Sequence, residues 1–356
     1  MEVVPRTTWK KTLLVLNCIL LTVGNCGGPL IIRLYFIRGG KRIWLSSWIQ
    51  TAGFPIILIP LFVSYMNRRR QRPINCTTST ATTELFLMKT RVLIASAIIG
   101  VITGLSNYFY GYGLVRLPVS TSSLLVATQL AFTAGFAFLL VKQKFTAFST
   151  NAIVLLTIGA AVLALHTSSD RPEGESKKEY VLGFVFTLAG AALAGFIMPS
   201  LELTYLKAKQ AVTYRLVLEI QLVMCFFATV FSTVGMIINK DFQAISKEAM
   251  QYELGETKYY LVLVWAAIIL EGFFLGIVGV VFYGSSLLAG VIVTVSIPIT
   301  ELLAVIFFHE KFQAEKGVAL FLSLWGFVSY FFGEMKQSKK IIHRTEETEM
   351  ARTGDP

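Results

Sequence analysis

The sequence predicts an all-α membrane protein with ten transmembrane helices, arranged as two inverted five-helix repeats. Three observations support this fold class: the composition, the long uncharged apolar stretches and an internal repeat. Of the 356 residues, 54% are hydrophobic and 15% are charged, whereas a soluble domain carries about 25% charged residues. The net charge of +11 comes from short basic clusters between apolar stretches, so the composition does not indicate a nucleic-acid partner.

Ten apolar stretches have the length that a helix needs to cross a bilayer, which is about 20 residues. The first stretch is too long for the core of a signal peptide, and we expect it to remain in the mature protein. The predicted spans cover residues 12–36, 43–66, 91–113, 117–141, 150–166, 181–206, 215–238, 259–284, 287–308 and 317–335.

The basic residues predict the orientation of these helices in the membrane. Arg68, Arg69, Arg70 and Arg72 lie between the second and third spans, and such clusters favour the cytosolic side. An even number of spans then places both termini in the cytosol. The segment "RGGKR" after the first span disagrees, because it would face outward.

The spans divide the chain into five predicted regions. Residues 167–180 mix acidic and basic residues, and the final segment is charged and poor in aromatic residues, which is typical of disorder. The regions are a cytosolic N-terminus (1–11), a first five-helix repeat (12–166), an extracellular linker (167–180), a second repeat (181–335) and a disordered cytosolic tail (336–356).

An internal repeat supports the two halves. Residues 139–160, "LLVKQKFTAFSTNAIVLLTIGA", resemble residues 306–327, "IFFHEKFQAEKGVALFLSLWGF", with K-F-x-A and a later glycine in register. A second match aligns Pro29 in "PLIIRLYF" with Pro199 in "PSLELTYL". Five helices per copy force the second copy to be inverted, and inverted repeats are typical of alternating-access transporters. Chance similarity between leucine-rich helices is the alternative.

Three prolines are predicted to break helices beside a binding site. Pro29 and Pro199 occupy matching positions in the two halves, and Pro298 lies within the ninth span. A proline removes a backbone hydrogen bond, and the freed groups are tolerated in a membrane only against protein or a wet cavity. A simple kink that serves packing is the alternative for each proline.

Several long motifs resemble the plant purine permeases, a family of the drug/metabolite transporter superfamily. They are "CGGPLIIRLYFIRGGKRIWLSSWIQTAGFPIILIPL", "SNYFYGYGLVRLPVSTSSLLVATQLAF", "EKFQAEKG" and "LSLWGFVSYFFGE". The resemblance covers roughly residues 12 to 335. It implies the drug/metabolite transporter fold and proton-coupled uptake of adenine, cytokinins such as trans-zeatin and related nitrogen heterocycles across the plasma membrane. The proton gradient would supply the energy, and no cofactor is implied. The chain departs from the family pattern at Glu271, where members often carry Gln.

Asn107, Tyr110 and Gln129 are the main substrate-binding candidates. Gly100, Gly104 and Asn107 share one helix face, and glycines allow a ligand or another helix to come close. A carboxamide can pair with an adenine edge through two hydrogen bonds, and a tyrosine can stack on its ring. The alternative for Asn107 is a hydrogen bond between helices.

Four further residues are weaker substrate-binding candidates. Trp48 shares a helix face with Trp44, Thr51 and Pro55, although a packing or interfacial tryptophan is an equal alternative. Glu202 follows Pro199 and could accept a hydrogen bond from a ring N–H, but a nearby lysine is an alternative partner. Tyr205 and Tyr283 complete the set.

The acids within spans are the candidates for proton coupling. Glu301 lies deep in the ninth span, Glu202 follows Pro199 in the sixth, and Glu271 lies in the middle of the eighth. A carboxyl group that must be neutralised before the carrier reorients would couple proton movement to substrate movement.

Other classes of function receive less support. The motifs H-E-x-x-H, G-x-S-x-G and G-x-x-x-x-G-K-[ST] are absent from the sequence, so an enzyme is not indicated. The four cysteines have no zinc-ligand spacing, and no metal site is predicted. A receptor is disfavoured by the inverted repeats. A carrier of a different small metabolite is the main alternative, but an anionic substrate would require deep cations, and Arg33 and Arg116 lie near span ends.

Overall fold

The structure is a computed structural model. It describes residues 6–70, 88–117, 119–143, 145–165, 177–308 and 324–333, with residues 314, 317, 318, 321, 322 and 336. Residues 1–5, Arg72, residue 166, residues 167–176 of the predicted linker and residues 337–356 of the predicted tail lie outside this part of the chain.

The described residues form helices and no strand. The helices are α1 (Arg6–Ile37), α2 (Ile43–Ala52), a 3₁₀ turn (Phe54–Ile57), α3 (Leu58–Arg70), α4 (Thr90–Arg116), α5 (Val119–Phe136) continued by a π-helix (Ala137–Val141), α6 (Ala147–Leu165), α7 (Lys177–Leu206), α8 (Tyr214–Ile238), α9 (Asp241–Gln251), α10 (Glu256–Tyr283), α11 (Ser286–Phe308) and α12 (Leu324–Gly333).

Six segments of the described chain are long and apolar enough to cross a membrane, which agrees with an integral membrane protein. Four further helical segments are apolar but shorter: Thr128–Val141, Ala147–Gly159, Ser286–Thr300 and Leu324–Gly333. The six long segments are Lys10–Ile37, Ile43–Met66, Thr90–Arg116, Lys178–Leu206, Tyr214–Ile238 and Glu256–Tyr283.

Three local features differ from the sequence-based expectation. The second predicted span is divided at Gly53 into α2, the 3₁₀ turn and α3, because Pro55 lacks the N–H that would continue the helix. Residues 177–180, predicted as part of the linker, form the first turn of α7. Residues 239–258, which lie between the seventh and eighth predicted spans, contain the amphipathic helix α9.

The three prolines predicted to break helices do not do so. Pro29 lies inside α1, Pro199 inside α7 and Pro298 inside α11, and each helix continues on both sides. The lost backbone hydrogen bond is local, and packing on both sides of a proline preserves the helix. The interruption occurs instead at Gly53 and Pro55.

Glycines bring α1 and α10 into close contact. A Cβ atom at Gly276 would overlap the backbone of Leu21, and one at Gly24 would overlap the backbone of Phe273. Gly100 and Gly104 of α4 similarly approach α8, so the α4 glycines pack against a helix and not against a ligand. Close backbone approach is the usual role of small residues between membrane helices.

A polar cluster joins α9 to the neighbouring helix ends, and we call this end of the bundle the α9 face. The carboxylate of Glu248, which is 8% exposed, accepts hydrogen bonds from the hydroxyls of Tyr35 and Tyr259 and from the backbone N–H of Lys41. It therefore connects α9 to the end of α1 and the beginning of α10.

Asp241, at the first position of α9, is fully buried in the same cluster. Its Oδ1 accepts hydrogen bonds from Arg42 at 3.3 Å and from Asn239 at 3.0 Å. Burial raises the pKa of Asp241, and the contacts with Asn239 and Arg42 oppose that rise.

Candidate functional site

The main cavity lies among the helices of both halves of the chain and has a volume of about 430 Å³. This volume is within the range of about 300–1,000 Å³ that is typical of small-molecule pockets. The cavity extends from the middle of α1, α4 and α10 to the α9 face, where Phe36 and Ile37 line it. Its walls come from α1, α2, α4, α5, α7, α10 and α11.

The walls are mostly apolar, with a few polar groups facing inward. Apolar walls come from residues such as Leu114, Ile197, Phe273, Phe274 and Ile277. The polar side chains among the lining residues are Asn25, Arg33, Gln50, Thr103, Ser106, Asn107, Tyr110, Gln129 and Thr300.

The serine and threonine hydroxyl groups of the cavity are bonded to backbone carbonyls. Thr103 donates to the carbonyl oxygen of Ile99, and Ser106 donates to that of Gly190 at 3.0 Å. Thr300 donates to the carbonyl oxygen of Ser296. Because these donors are already used within or between helices, the carboxamides are the groups better suited to recognise a ligand.

The carboxamides differ in their bonding. Asn25 donates from Nδ2 to the carbonyl oxygen of Val293 at 3.0 Å, and Gln50 donates from Nε2 to that of Ser46 at 3.3 Å. Asn107 Nδ2 is a buried donor without an acceptor in the described part of the chain. A buried amide that leaves a donor unused loses free energy of about 1–3 kcal/mol, so Asn107 is suited to bind a ligand with an acceptor.

Four of the residues selected from the sequence line this cavity. Asn107 and Tyr110 from α4, Gln129 from α5 and Pro29 from α1 all line the cavity. They come from separate elements, and helix packing brings them together. Their predicted substrate-binding role remains a prediction.

Asn25 and Gln50 also line the cavity, although the sequence analysis did not select them. Asn25 precedes the glycine pair at 27–28, and Gln50 follows "SSWI" on α2. Both are amides within predicted spans, which is the same signal that selected Gln129.

Trp48 and the two further tyrosine candidates are not among the cavity-lining residues. Trp48 donates from Nε1 to Thr233 Oγ1 at 3.0 Å, between α2 and α8. Tyr205 donates to the carbonyl oxygen of Val278 at 3.3 Å. The ring of Tyr283 stacks beside that of Tyr214. In this structure, these side chains contact neighbouring helices.

Glu202 also lies outside the cavity lining. Its Oε2 accepts a hydrogen bond of 2.7 Å from the backbone N–H of Ser286, the first residue of α11. A carboxylate at this position satisfies a free backbone donor and interacts favourably with the helix dipole. The geometry thus gives Glu202 a capping role in this conformation.

The remaining candidate residues lie at different places relative to the cavity. Glu271 is 1% exposed and faces Gln221 of α8, away from the cavity lining. Pro199 and Pro298 are buried, and neither lines the cavity. Glu301 lies on α11, but its side chain is outside the described part of the structure.

The other tyrosines near Asn107 have packing roles. Tyr108 stacks on Trp44 with ring centroids 3.9 Å apart. Tyr112 lies under the guanidinium of Arg116, 3.8 Å from its ring centroid. Only Tyr110 of this group faces the cavity among the described residues.

The cavity is suited to an uncharged ligand. Among the described lining residues, Arg33 is the charged one, and it lies toward the α9 face. Within the same part of the chain, no cluster of three or more His, Cys, Asp or Glu side chains could hold a metal ion. A flat polar ring could fit between the amides and the aromatic walls without a charge partner.

Comparison with known proteins identifies relatives of the whole chain. The sequence profile of a family described as purine nucleobase transmembrane transport matches residues 12–340. Purine permease 3 of Arabidopsis thaliana is 54% identical over 97% of this chain and 98% of its own length. Purine permease 2 of the same plant is 50% identical over 93% of this chain and 94% of its own.

A solved crystal structure supports the fold independently. It superimposes with a TM-score of 0.61 over 93% of this chain and 99% of its own, at 13% sequence identity. At this identity the similarity concerns the fold alone. The family profile and the relatives cover the helices that form the cavity, and the chain therefore belongs to the purine permease family: it is an integral membrane transporter and not an enzyme.

Proposed function

We propose that the chain is a proton-coupled carrier that takes up purine bases and related nitrogen heterocycles by alternating access. Its substrates would include adenine and cytokinins such as trans-zeatin, and its location would be the plasma membrane. The observation that carries the proposal is the buried Asn107 amide donor, which has no acceptor among the described residues and lines a largely apolar cavity. The relatives' names, which are purine permeases, support the same substrate class.

Adenine has the chemistry that this amide can recognise. Asn107 Nδ2 would donate to ring nitrogen N7, and its Oδ1 would accept from the exocyclic amine. Gln129, from α5, would supply a second carboxamide, and Tyr110 would offer an aromatic face. Each of these contacts suits a neutral ring, which agrees with the low charge of the cavity lining.

The helix contacts support a fold of ten helices in two inverted repeats. The six long and four shorter apolar segments correspond to the ten predicted spans. In the alignment of the two halves, α1 corresponds to α7, α4 to α10 and α5 to α11. Accordingly, α1 packs on α10 and α11, whereas α7 packs on α4 and α5. Each of the two corresponding helices thus packs on helices of the other half, as expected for two related halves that pack against each other.

The proposed orientation has both termini in the cytosol, so the α9 face is extracellular. The cavity lining reaches Phe36 and Ile37 on that face, which fits a carrier ready to receive an external ligand. Binding near the middle of the bilayer, between two repeats, is the usual arrangement in carriers of this type.

Uptake of labelled adenine tests the substrate assignment. We would express the protein in cells that lack purine uptake, and compare Asn107→Ala and Gln129→Ala with wild type. A lost bidentate pair is expected to weaken adenine binding by about 1–3 kcal/mol, which corresponds to roughly 5- to 150-fold. The control is Asn151→Ala, because Asn151 is exposed, bonds to Ser329 and does not line this cavity.

Two outcomes would contradict the proposal. If Asn107→Ala and Gln129→Ala both bind adenine like wild type, the substrate site lies elsewhere. If wild-type uptake does not rise at acidic external pH and survives a protonophore, the carrier is not proton-coupled. Competition by adenine, trans-zeatin and other heterocycles would rank the substrates, and inhibition by none of the purines would indicate a different metabolite.

A further inference from the structure

A second polar cluster lies behind the cavity, between α8 and α10. Its centre is Glu271, which is 1% exposed, with Gln221 and Cys225 of α8, which are also fully buried. The neighbours Leu270 and Phe274 on the same helix line the cavity. One turn of α10 therefore has a carboxyl group on one side and the cavity on the other.

The hydrogen bonds of this cluster leave two oxygen atoms without a donor. Gln221 Nε2 donates to Glu271 Oε1 at 3.4 Å and to Cys225 Sγ at 3.0 Å. Glu271 Oε2 and Gln221 Oε1 are buried and have no partner in the described part of the chain. An ionised carboxylate and an amide oxygen can only accept hydrogen bonds. The Cys225 thiol is a weak donor beside the Glu271 carboxyl group, but it leaves Glu271 Oε2 and Gln221 Oε1 unpaired.

One proton on Glu271 Oε2 would supply that donor. The carboxylic acid would then donate its O–H to Gln221 Oε1, while Gln221 Nε2 continues to donate to Glu271 Oε1. This neutral acid–amide pair satisfies both remaining oxygens with no further side chain. It also removes an unpaired negative charge from the membrane interior, where such a charge is costly.

We propose that Glu271, the position at which this chain departs from the family pattern, binds the proton that this carrier transports and that Gln221 positions the carboxyl group. The proposal depends on the proton-coupled transport proposed above, and it selects one of the three candidate acids. The proton would enter from water on one side and return to water on the other, so the carboxyl group is regenerated in each cycle.

The surroundings of Glu271 contain few other ionisable groups. From α8, the thiol of Cys225 faces it. From α2 and the 3₁₀ turn, residues 43–57 include no acidic, basic, cysteine or tyrosine side chain. From α1, Gly27 and Gly28 pack against this part of α10.

The ionisable groups on the other helices that contact α10 lie at other positions along α10, away from Glu271. Glu248 of α9 bonds to Tyr259, three turns earlier on α10, and Tyr205 of α7 bonds to the carbonyl oxygen of Val278, two turns later. On α11, residues 286–300 include no titratable side chain. In the described part of the chain, these contacts give the Glu271 carboxylate no cation.

The position of Glu271 suggests how proton and substrate could be coupled. Glu271 lies where α10 packs closely against the end of α2, because a Cβ added at Gly53 would lie 2.8 Å from the Cβ of Glu271. Leu270, beside Glu271, packs against Gly28 of α1 and lines the cavity. The proton and the substrate would thus act on the same segment of α10.

Glu271→Gln tests the assignment because it keeps the size and hydrogen bonding of the side chain but cannot titrate. In proteoliposomes, we expect the variant to lose accumulation of adenine driven by a pH gradient, so that the internal and external concentrations become equal. Exchange of labelled for unlabelled adenine, which needs no net proton movement, should persist. The matched control is Glu253→Gln, an exposed acid paired with Arg38 on the α9 face.

Gln221→Leu tests the positioning role. Removal of the amide should shift the pH profile of accumulation while adenine exchange is retained, and Glu271→Asp should recover part of the pH dependence that Glu271→Gln loses. A purely structural role for Gln221 would reduce the amount of folded protein but leave the pH profile of the folded fraction unchanged.

A measurement on wild-type protein covers the case in which variants fail to fold. Dicyclohexylcarbodiimide, which reacts with protonated carboxyl groups in apolar surroundings, should label the peptide that contains Glu271 more strongly at acidic pH. Absence of labelling, or full accumulation by Glu271→Gln, would overturn this proposal. Wild-type uptake without any pH dependence would instead overturn the proton-coupled function itself.

Discussion

The contact between α1 and α10 gives a prediction whose size can be worked out from the structure. In Gly276→Ala, the new Cβ overlaps the backbone of Leu21, and a backbone atom cannot move aside as a side chain can. Such overpacking costs about 1–3 kcal/mol, whereas alanine is about 1 kcal/mol better than glycine within a helix. We therefore expect a net loss of up to about 2 kcal/mol of unfolding free energy.

Gly272→Ala is the matched control, because it lies one turn away on the same helix and nothing is within 4 Å of its added Cβ. This variant should gain the helix preference without the overlap, so the two variants should differ by about 1–3 kcal/mol. With an unfolding entropy of about 2.1 cal/mol/K per residue, a chain of 356 residues shifts by about 1.3 °C per kcal/mol, so their apparent Tm values in detergent should differ by at least about 1 °C. Equal Tm values would refute the close approach of α1 and α10.

Three further predictions concern residues outside the cavity. Glu202→Ala should lower the unfolding free energy by about 0.5–2 kcal/mol, because the N–H of Ser286 loses its acceptor. A variant with weaker adenine affinity and an unchanged Tm would contradict the capping role. Trp48→Phe should remove the hydrogen bond to Thr233 and leave the KM for adenine unchanged, and a large rise in KM would place Trp48 at the substrate. Burial raises the pKa of Asp241, so the folded protein holds a proton that the unfolded chain releases. The stability contributed by this group, and with it the Tm, therefore falls as the pH rises from about 4. Asp241→Asn should make the decrease of Tm with pH less steep, and an unchanged slope of Tm against pH would contradict this prediction.

The helices were predictable from sequence because bilayer-spanning segments depend on local composition. The starts and ends of α4, α8 and α11 lie within a few residues of the predicted spans. The break at Gly53 was missed because glycine and proline also occur inside unbroken membrane helices, as Pro29 in α1 demonstrates. The choice between kink and break depends on tertiary packing, which a single sequence does not reveal.

The cavity was predictable only in part for a related reason. Asn107 and Gln129 were selected because a carboxamide in a membrane span has few uses other than hydrogen bonding. The direction in which Trp48 and Glu271 point depends on how α2, α8 and α10 pack together. Helical periodicity assigns residues to faces of one helix, but it does not say which face meets the ligand.

The central claim is that the Asn107 amide binds the edge of a purine ring in the cavity between the two halves. The most direct test is a thermodynamic cycle that combines Asn107→Ala with removal of the exocyclic amine, by comparing the Kd of adenine with that of unsubstituted purine. We predict that the substitution weakens the binding of adenine more than the binding of purine, with a coupling energy of about 1 kcal/mol or more. If both ligands lose affinity equally, Asn107 does not pair with the exocyclic amine, and if neither loses affinity, Asn107 does not contact the ring; either result contradicts the central claim.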